Sequence, residues 1–220
     1  MKKNQYFTEN NIDEVASSIK KKLENSDLGK FKDFEIDAPA LLVLDMQKYF
    51  LLEESRAFVP SAKSIVFQIN KLIQTFNSLN YPVIFTKHSN NEENAKQMAV
   101  RWKHLTPETG IFNEIYEKID KKKGIFINKN QYDAFYCTNL LNLLNELKIK
   151  QLIITGVITN LCVETTARSA FVNGFYTIVP IDATATYNLD LHLSSFINLS
   201  FSINSTPLTS ELINYLEKYT

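Results

Sequence analysis

The sequence predicts an α/β fold, a parallel sheet with helices on both faces. Two observations carry this. Short runs such as Ala40-Leu41-Leu42-Val43-Leu44 and Leu152-Ile153-Ile154-Thr155 lack the polar alternation of a strand with one wet face. Segments with apolar residues at helical spacing separate these runs. A third observation sets the scale. The chain has 220 residues, 45% hydrophobic and 22% charged, which suits one large-core domain, or a domain plus a small extension.

The elements follow in order. Asn11 is expected to cap a helix with Ile12, Val15, Ile19 and Leu23 along one stripe and Asp13 and Glu14 in its first turn. Gly29 is expected to end it. Residues 1–37 read as an N-terminal helical extension and 38–220 as the main domain. The stripe needs burial but has no slot in the alternating pattern. It covers either an edge of its own domain or a neighbouring subunit.

The first strand is 40–44. A helix over 61–79 carries Ile65, Ile69, Leu72, Ile73 and Phe76 on one face, and the second strand is 82–86. A polar excursion over 87–123 is expected to hold a short helix at 107–119. The third strand is 125–128, a helix covers 139–147, and the fourth strand ends at Thr155. The next helix carries Cys162 in its first turn and stops at Asn173-Gly174. A fifth strand over 175–179, a helix over 189–199, a sixth strand over 200–204 and a helix over 209–218 complete the chain.

Bulk properties exclude several functions. Lys+Arg and Asp+Glu are both 24, so the net charge is zero and no basic stripe suggests nucleic acid. Two cysteines do not make a disulfide framework, so a reducing cytoplasm is expected. The start Met1-Lys2-Lys3-Asn4-Gln5 lacks the apolar region of a signal peptide. No apolar run is long enough to span a bilayer.

Sites in open parallel sheets form beyond the carboxyl ends of the strands. Asp45 follows the first strand, Lys87 and His88 the second, Lys129 the third and Cys162 the fourth. A carboxylate, an ammonium and a thiol thus meet at one edge: a proton acceptor, a cation and a nucleophile. A helix N-terminus favours a thiolate at Cys162. A lone cysteine is also often a small core hydrophobe. Cys137, entering an apolar helix, is expected to be buried and inert. Arg168 suits either a substrate carboxylate or an external ion pair.

Three linked motifs carry a resemblance. Asp45-Met46-Gln47-Lys48-Tyr49-Phe50 fits Asp-Met-Gln-x-x-Phe. Lys129 to Phe135 fits Lys-x-x-x-x-Ala-Phe. Gly156 to Ala167 fits Gly-x-x-Thr-x-x-Cys-Val-x-x-Thr-Ala. From about Pro39 to the C-terminus the chain resembles the isochorismatase-like cysteine hydrolases. The resemblance implies a three-layer α/β/α fold with a six-stranded parallel sheet in the order 3-2-1-4-5-6. It implies a triad of Asp45, Lys129 and Cys162, a cis peptide between Val157 and Ile158, and an oxyanion hole from the N–H groups of Ile158 and Cys162. Gln47, Phe50, His88, Trp102, Phe135 and Val157 are the candidate substrate-binding residues; the aromatic ones suit core or interface equally.

The expected activity is hydrolysis of an amide, ureido or carbamoyl C–N bond in a small metabolite through a Cys162 thioester, with no cofactor. The alternatives are an isochorismatase-type vinyl-ether hydrolase and a catalytically silent binding protein on the same fold. Nicotinamidases of the family carry a metal site with an Asp-x-His pair. Here Thr86-Lys87-His88 replaces the Asp by Lys87, which argues against a metal and against that activity. The resemblance further implies a homo-oligomer, a dimer or tetramer.

Overall fold

Parallel strands form the centre of the molecule because their residues are apolar at odd and even positions alike. Every residue of the first and fourth strands is buried, so both sheet faces are covered. The computed structural model describes residues 2–26 and 36–219. The described elements are α1 (Ile12–Asn25), β1 (Pro39–Leu44), α2 (Lys48–Leu51), α3 (Val66–Ser78), β2 (Val83–His88) and α4 (Gln97–Trp102). Then come β3 (Ile125–Lys129), α5 (Leu140–Glu146), β4 (Gln151–Val157), a π-helical turn (Thr159–Val163) and α6 (Glu164–Val172). The chain closes with β5 (Tyr176–Ile178), β6 (Thr184–Ala185), α7 (Leu189–Ser202) and α8 (Thr209–Tyr219).

The order is β3-β2-β1-β4-β5, with β6 paired to β4. The expected order holds through five strands; the sixth lies elsewhere. Thr184 and Ala185 pair with Gly156 and Val157, beyond the stretch of β4 that β5 covers. Of the stretch expected as the sixth strand, residues 200–202 instead finish α7, where Ser202 Oγ donates back to the Asn198 carbonyl at 2.7 Å. Alternating Ser and Phe there fits a helix as well as a strand. At the β5 edge the Asn204 side chain accepts the Thr177 N–H at 2.7 Å, and Ser205 makes a single bridge to Ile178. The polar excursion also differs. Its helix is α4, and the expected helix at 107–119 is reduced to a 3₁₀ turn at Ile111–Asn113.

Asn11 stands at the start of α1, but its side chain does not cap the helix. Its Oδ1 instead accepts the Thr8 N–H at 2.7 Å and its Nδ2 donates to the Tyr6 carbonyl at 3.2 Å. Ile12, Ala16, Ile19 and Leu23 are buried, while Val15 is only half-buried. This face packs on the Ile181–Ala183 turn and on α7 of its own chain, and Lys20 pairs with Glu211 on α8. The Gly29 stop lies outside the described residues.

Register decides what meets at the sheet edge. His88 aligns with Lys129, and Leu44 with Gly156. Asp45, His88, Lys129 and the turn after β4 therefore emerge side by side. Gly156 has φ +102°, and a Cβ there would stand 2.1 Å from the Leu44 carbonyl oxygen. Only glycine admits this close approach of β4 to β1.

Candidate active site

Asp45 leaves β1 in the left-handed region, with φ +53°, which turns its fully buried side chain under the strand ends. Thr86 holds it twice. Thr86 Oγ1 donates to Asp45 Oδ1 at 2.6 Å and accepts the Asp45 N–H at 3.2 Å. The other carboxylate oxygen faces Lys129 Nζ at 2.8 Å.

Lys129 has three donors and uses all three. Besides Asp45, its Nζ donates to Cys162 Sγ at 3.2 Å and to the Gln131 carbonyl at 2.9 Å. Burial works against its charge, but Asp45 and Cys162 outweigh burial and raise the Lys129 pKa. The structure thus brings Asp45, Lys129 and Cys162 into contact. His88 Nδ1 lies 3.5 Å from the same ammonium. Burial, then the Lys129 charge, push the His88 imidazole down to about 3, so it is neutral near pH 7.

Cys162 sits in the π-helical turn just before α6. Burial pushes its thiol up to about 12, and the pull of Lys129 toward the thiolate does not overcome this. Burial and Lys129 thus act on Cys162 in opposite directions, so the helix start does not by itself set a thiolate there. The preceding Val157–Ile158 peptide bond is cis. On the far side of this turn, Thr159 Oγ1 lies 3.1 Å from His192 Nδ1, and His192 Nε2 lies 3.2 Å from the Ile181 carbonyl. The carbonyl places the imidazole proton on Nε2, so Thr159 donates to Nδ1.

Cys162 opens onto a cavity of about 240 Å³. Phe50, His88, Trp102 and Ile158 line it, as does Tyr132, whose hydroxyl accepts the Trp102 Nε1–H at 2.8 Å. Three expected binding residues do not line it. Gln47 is consumed as a tether: its Nε2 donates to the His88 carbonyl at 3.0 Å, and its Oε1 accepts the His88 N–H at 2.7 Å. Phe135 stacks on Phe175 at 6.0 Å. Val157 is wholly buried as the last residue of β4. Arg168 bonds Glu164 at 3.2 Å on the exposed surface, the external alternative. Cys137, expected to be buried, is exposed, because a left-handed φ of +51° turns the chain just before α5.

Thr86, Tyr49, Tyr187 and Lys3 were not singled out from the sequence. Thr86 had a legible signal, since period two along β2 sets it on the His88 face. The same alternation turns Lys87 off the cavity, where its Nζ donates to Asn113 Oδ1 at 3.1 Å. Lys87 therefore does not occupy a ligand position beside His88; an Asp-x-His pair in this register puts its Asp at Thr86, which bonds Asp45 instead. The donor set there still does not fit a metal ion. Among the described residues no group of three His, Cys, Asp or Glu is arranged to hold one, and Lys129 stands beside His88.

A family model, the Isochorismatase domain, matches residues 39–211. Nicotinamidase 3 of Arabidopsis thaliana is 34% identical over 193 residues, spanning 85% of this chain and 91% of that protein. Ureidoacrylate amidohydrolase RutB of Acinetobacter baylyi is 25% identical over 201 residues, spanning 80% of this chain and 82% of the relative. The crystal structure of a cysteine hydrolase from Pseudomonas syringae pv. phaseolicola superposes with a TM-score of 0.82 at 23% identity. It covers 88% of this chain and 98% of its own.

Proposed function

The chain belongs to the isochorismatase-like cysteine hydrolase family, and within it we propose that this protein is an amidohydrolase cleaving a C–N bond of a small metabolite through Cys162. One observation carries the proposal. The Lys129 ammonium touches both Asp45 and Cys162, and Cys162 opens onto the cavity. A cation shared by a carboxylate and a thiol suits a reaction in which negative charge moves between them.

The steps follow from the protonation states. Burial raises the Cys162 thiol, so attack on the amide carbon calls for a base, and Asp45 is the carboxylate within hydrogen-bonding reach. Asp45 takes the thiol proton as sulfur bonds the carbonyl carbon. Lys129 holds the charge on both partners. The N–H groups of Ile158 and Cys162, both at the cavity wall, receive the oxyanion. The C–N bond breaks, and Asp45 passes its proton to the leaving nitrogen. Water then adds to the thioester, giving the acid and restoring the thiol.

The 34% identity to a nicotinamidase supports C–N chemistry, while an isochorismatase relative at 28% keeps vinyl-ether hydrolysis as the alternative to test. The test is a panel of nicotinamide, a ureido acid, an N-carbamoyl amino acid and isochorismate, with intact protein and Cys162→Ala. We expect amide or ureide turnover that falls about 10³-fold or more in Cys162→Ala, and an acyl-enzyme on Cys162 by mass spectrometry. Isochorismate turnover that survives Cys162→Ala overturns the thioester route. Turnover of none of them favours the silent binding protein. A homo-oligomer in the cytoplasm is part of the same proposal, and sedimentation of the full chain tests the assembly.

A further inference from the structure

The N-terminal arm reaches the cavity. Its backbone is held along its length. The Asn4 N–H donates to the Tyr187 carbonyl at 2.9 Å, and Ser61 Oγ accepts the N–H groups of Tyr6 and Phe7 at 3.0 and 3.1 Å. Tyr6 Oη accepts the Thr186 N–H at 3.0 Å. Lys3, just before these anchors, borders the same cavity as Cys162. Its Nζ donates to the carbonyls of Arg56 and Phe58 at 2.9 and 2.8 Å and stands 4.6 Å from the Tyr187 ring centre. Two of its three donors are thus spent, and one remains.

The charge around the cavity is one-sided. Lys3 and Arg56 line it, and among the described residues no aspartate or glutamate does. Arg56 is exposed and forms no ion pair with a carboxylate among the described residues. Asp45, beside Cys162, lies outside the cavity lining and is already matched by Lys129. Lys3 is exposed at the cavity rim, so its remaining donor can meet an anion arriving from solvent.

We infer that Lys3 of the N-terminal arm and Arg56 form an anion-selecting mouth, and that the substrate is an amide or ureide bearing a carboxylate. This rests on the proposed amidohydrolase reading for the scissile bond, but the mouth can be tested apart from it. The arm lies outside residues 39–211, the span of the family model, so this specificity is added to the domain by the extension. A neutral amide such as nicotinamide leaves both cations without a partner and is expected to be the poorer substrate.

The test uses two reagents of similar size and opposite demand. Iodoacetate and iodoacetamide are applied to the full chain at equal concentration, and modification of Cys162 is followed by mass spectrometry. Cys137, exposed, serves as an internal reference. The iodoacetate to iodoacetamide rate ratio at Cys162 should fall about fivefold or more in Lys3→Met and in Arg56→Gln. Lys3→Arg should restore it. Lys87→Gln, a cation removed from outside the cavity, should leave it as in the parent chain. A ratio unchanged in both variants, or an equal slowing of both reagents, overturns the inference.

A second arm compares succinamate with its methyl ester, and 3-carbamoylbenzoate with its methyl ester. The acids should be preferred by the parent chain, and Lys3→Met should erase that preference. If the alkylation ratio shifts but no amide is hydrolysed, the mouth stands and the amidohydrolase reading falls. If amides are hydrolysed without preference for the acids and the ratio is unmoved, the reverse holds.

Discussion

Thr86 and Asp45 bond each other twice, hydroxyl to carboxylate at 2.6 Å and N–H to hydroxyl at 3.2 Å, across the ends of adjacent strands. The carboxylate is thereby fixed before it meets Lys129, because one oxygen belongs to Thr86 and the other to the ammonium. A proton acceptor held this way loses little order when the thiol proton arrives.

The first prediction removes that hold. Thr86→Val keeps the volume but leaves Asp45 Oδ1 and the Asp45 N–H unpaired in a fully buried place. The expected cost is about 1–3 kcal/mol of stability, read as a lower denaturation midpoint. The value of kcat should fall with KM little changed, and Thr86→Ser should recover most of it. Unchanged kcat in Thr86→Val would show that Asp45 needs no such support.

A second prediction concerns acid. Burial pushes both His88 and His192 down to about 3 from an ordinary 6.5. Folded, they stay neutral; unfolded, they take up protons below pH 6.5. Stability is therefore present above that pH and is lost as pH falls from 6.5 toward 3. Between pH 7 and pH 5 each histidine should remove about 2 kcal/mol. Thermal melts across this range check it, and His192→Gln should give a shallower slope. A melting temperature flat from pH 7 to 5 contradicts the prediction.

A third prediction uses the glycine at the β1–β4 crossing. Gly156→Ala places a Cβ 2.1 Å from the Leu44 carbonyl oxygen at a φ of +102°. Backbone cannot move aside as a flexible side chain does. The expected result is a loss of about 3 kcal/mol or more, or no soluble protein. Gly174→Ala, also at positive φ but with nothing within 4 Å, should cost clearly less. Equal costs would show that strain, and not the close approach, governs both positions.

The contrast between strands and cavity marks what the sequence made legible. β1 and β4 announce themselves because their runs are almost wholly apolar and every residue is buried. Asp45, Lys129 and Cys162 were legible because strand ends in a parallel sheet share one edge. The excursion over 87–123 was not, because its path depends on a tertiary tie. Gln47 Nε2 reaches the carbonyls of both His88 and Asn113. Nor was the cavity wall, where Lys3 and Tyr187 arrive from opposite ends of the chain. No local period encodes such a meeting. Residues 200–204 failed differently, since Ser-Phe alternation suits two periods and α7 simply continued.

The last prediction follows from the two thiols. Cys137 is exposed, and Cys162 is buried with its thiol pushed up to about 12. Iodoacetamide near neutral pH should therefore modify Cys137 first, with activity retained, and Cys162 later, with activity lost. The inactivation rate should keep rising with pH well beyond 8.5, where an ordinary thiol levels off. Cys137→Ser removes the fast phase and leaves the slow one. In Lys129→Met the slow phase should become slower still, because the opposing pull toward the thiolate is gone. Denaturation of that variant should also begin earlier, by about 3–5 kcal/mol, since Asp45 keeps a buried charge with no cation beside it. An inactivation rate that levels off near pH 7 would instead mean that Lys129 overcomes burial and that Cys162 rests as the thiolate.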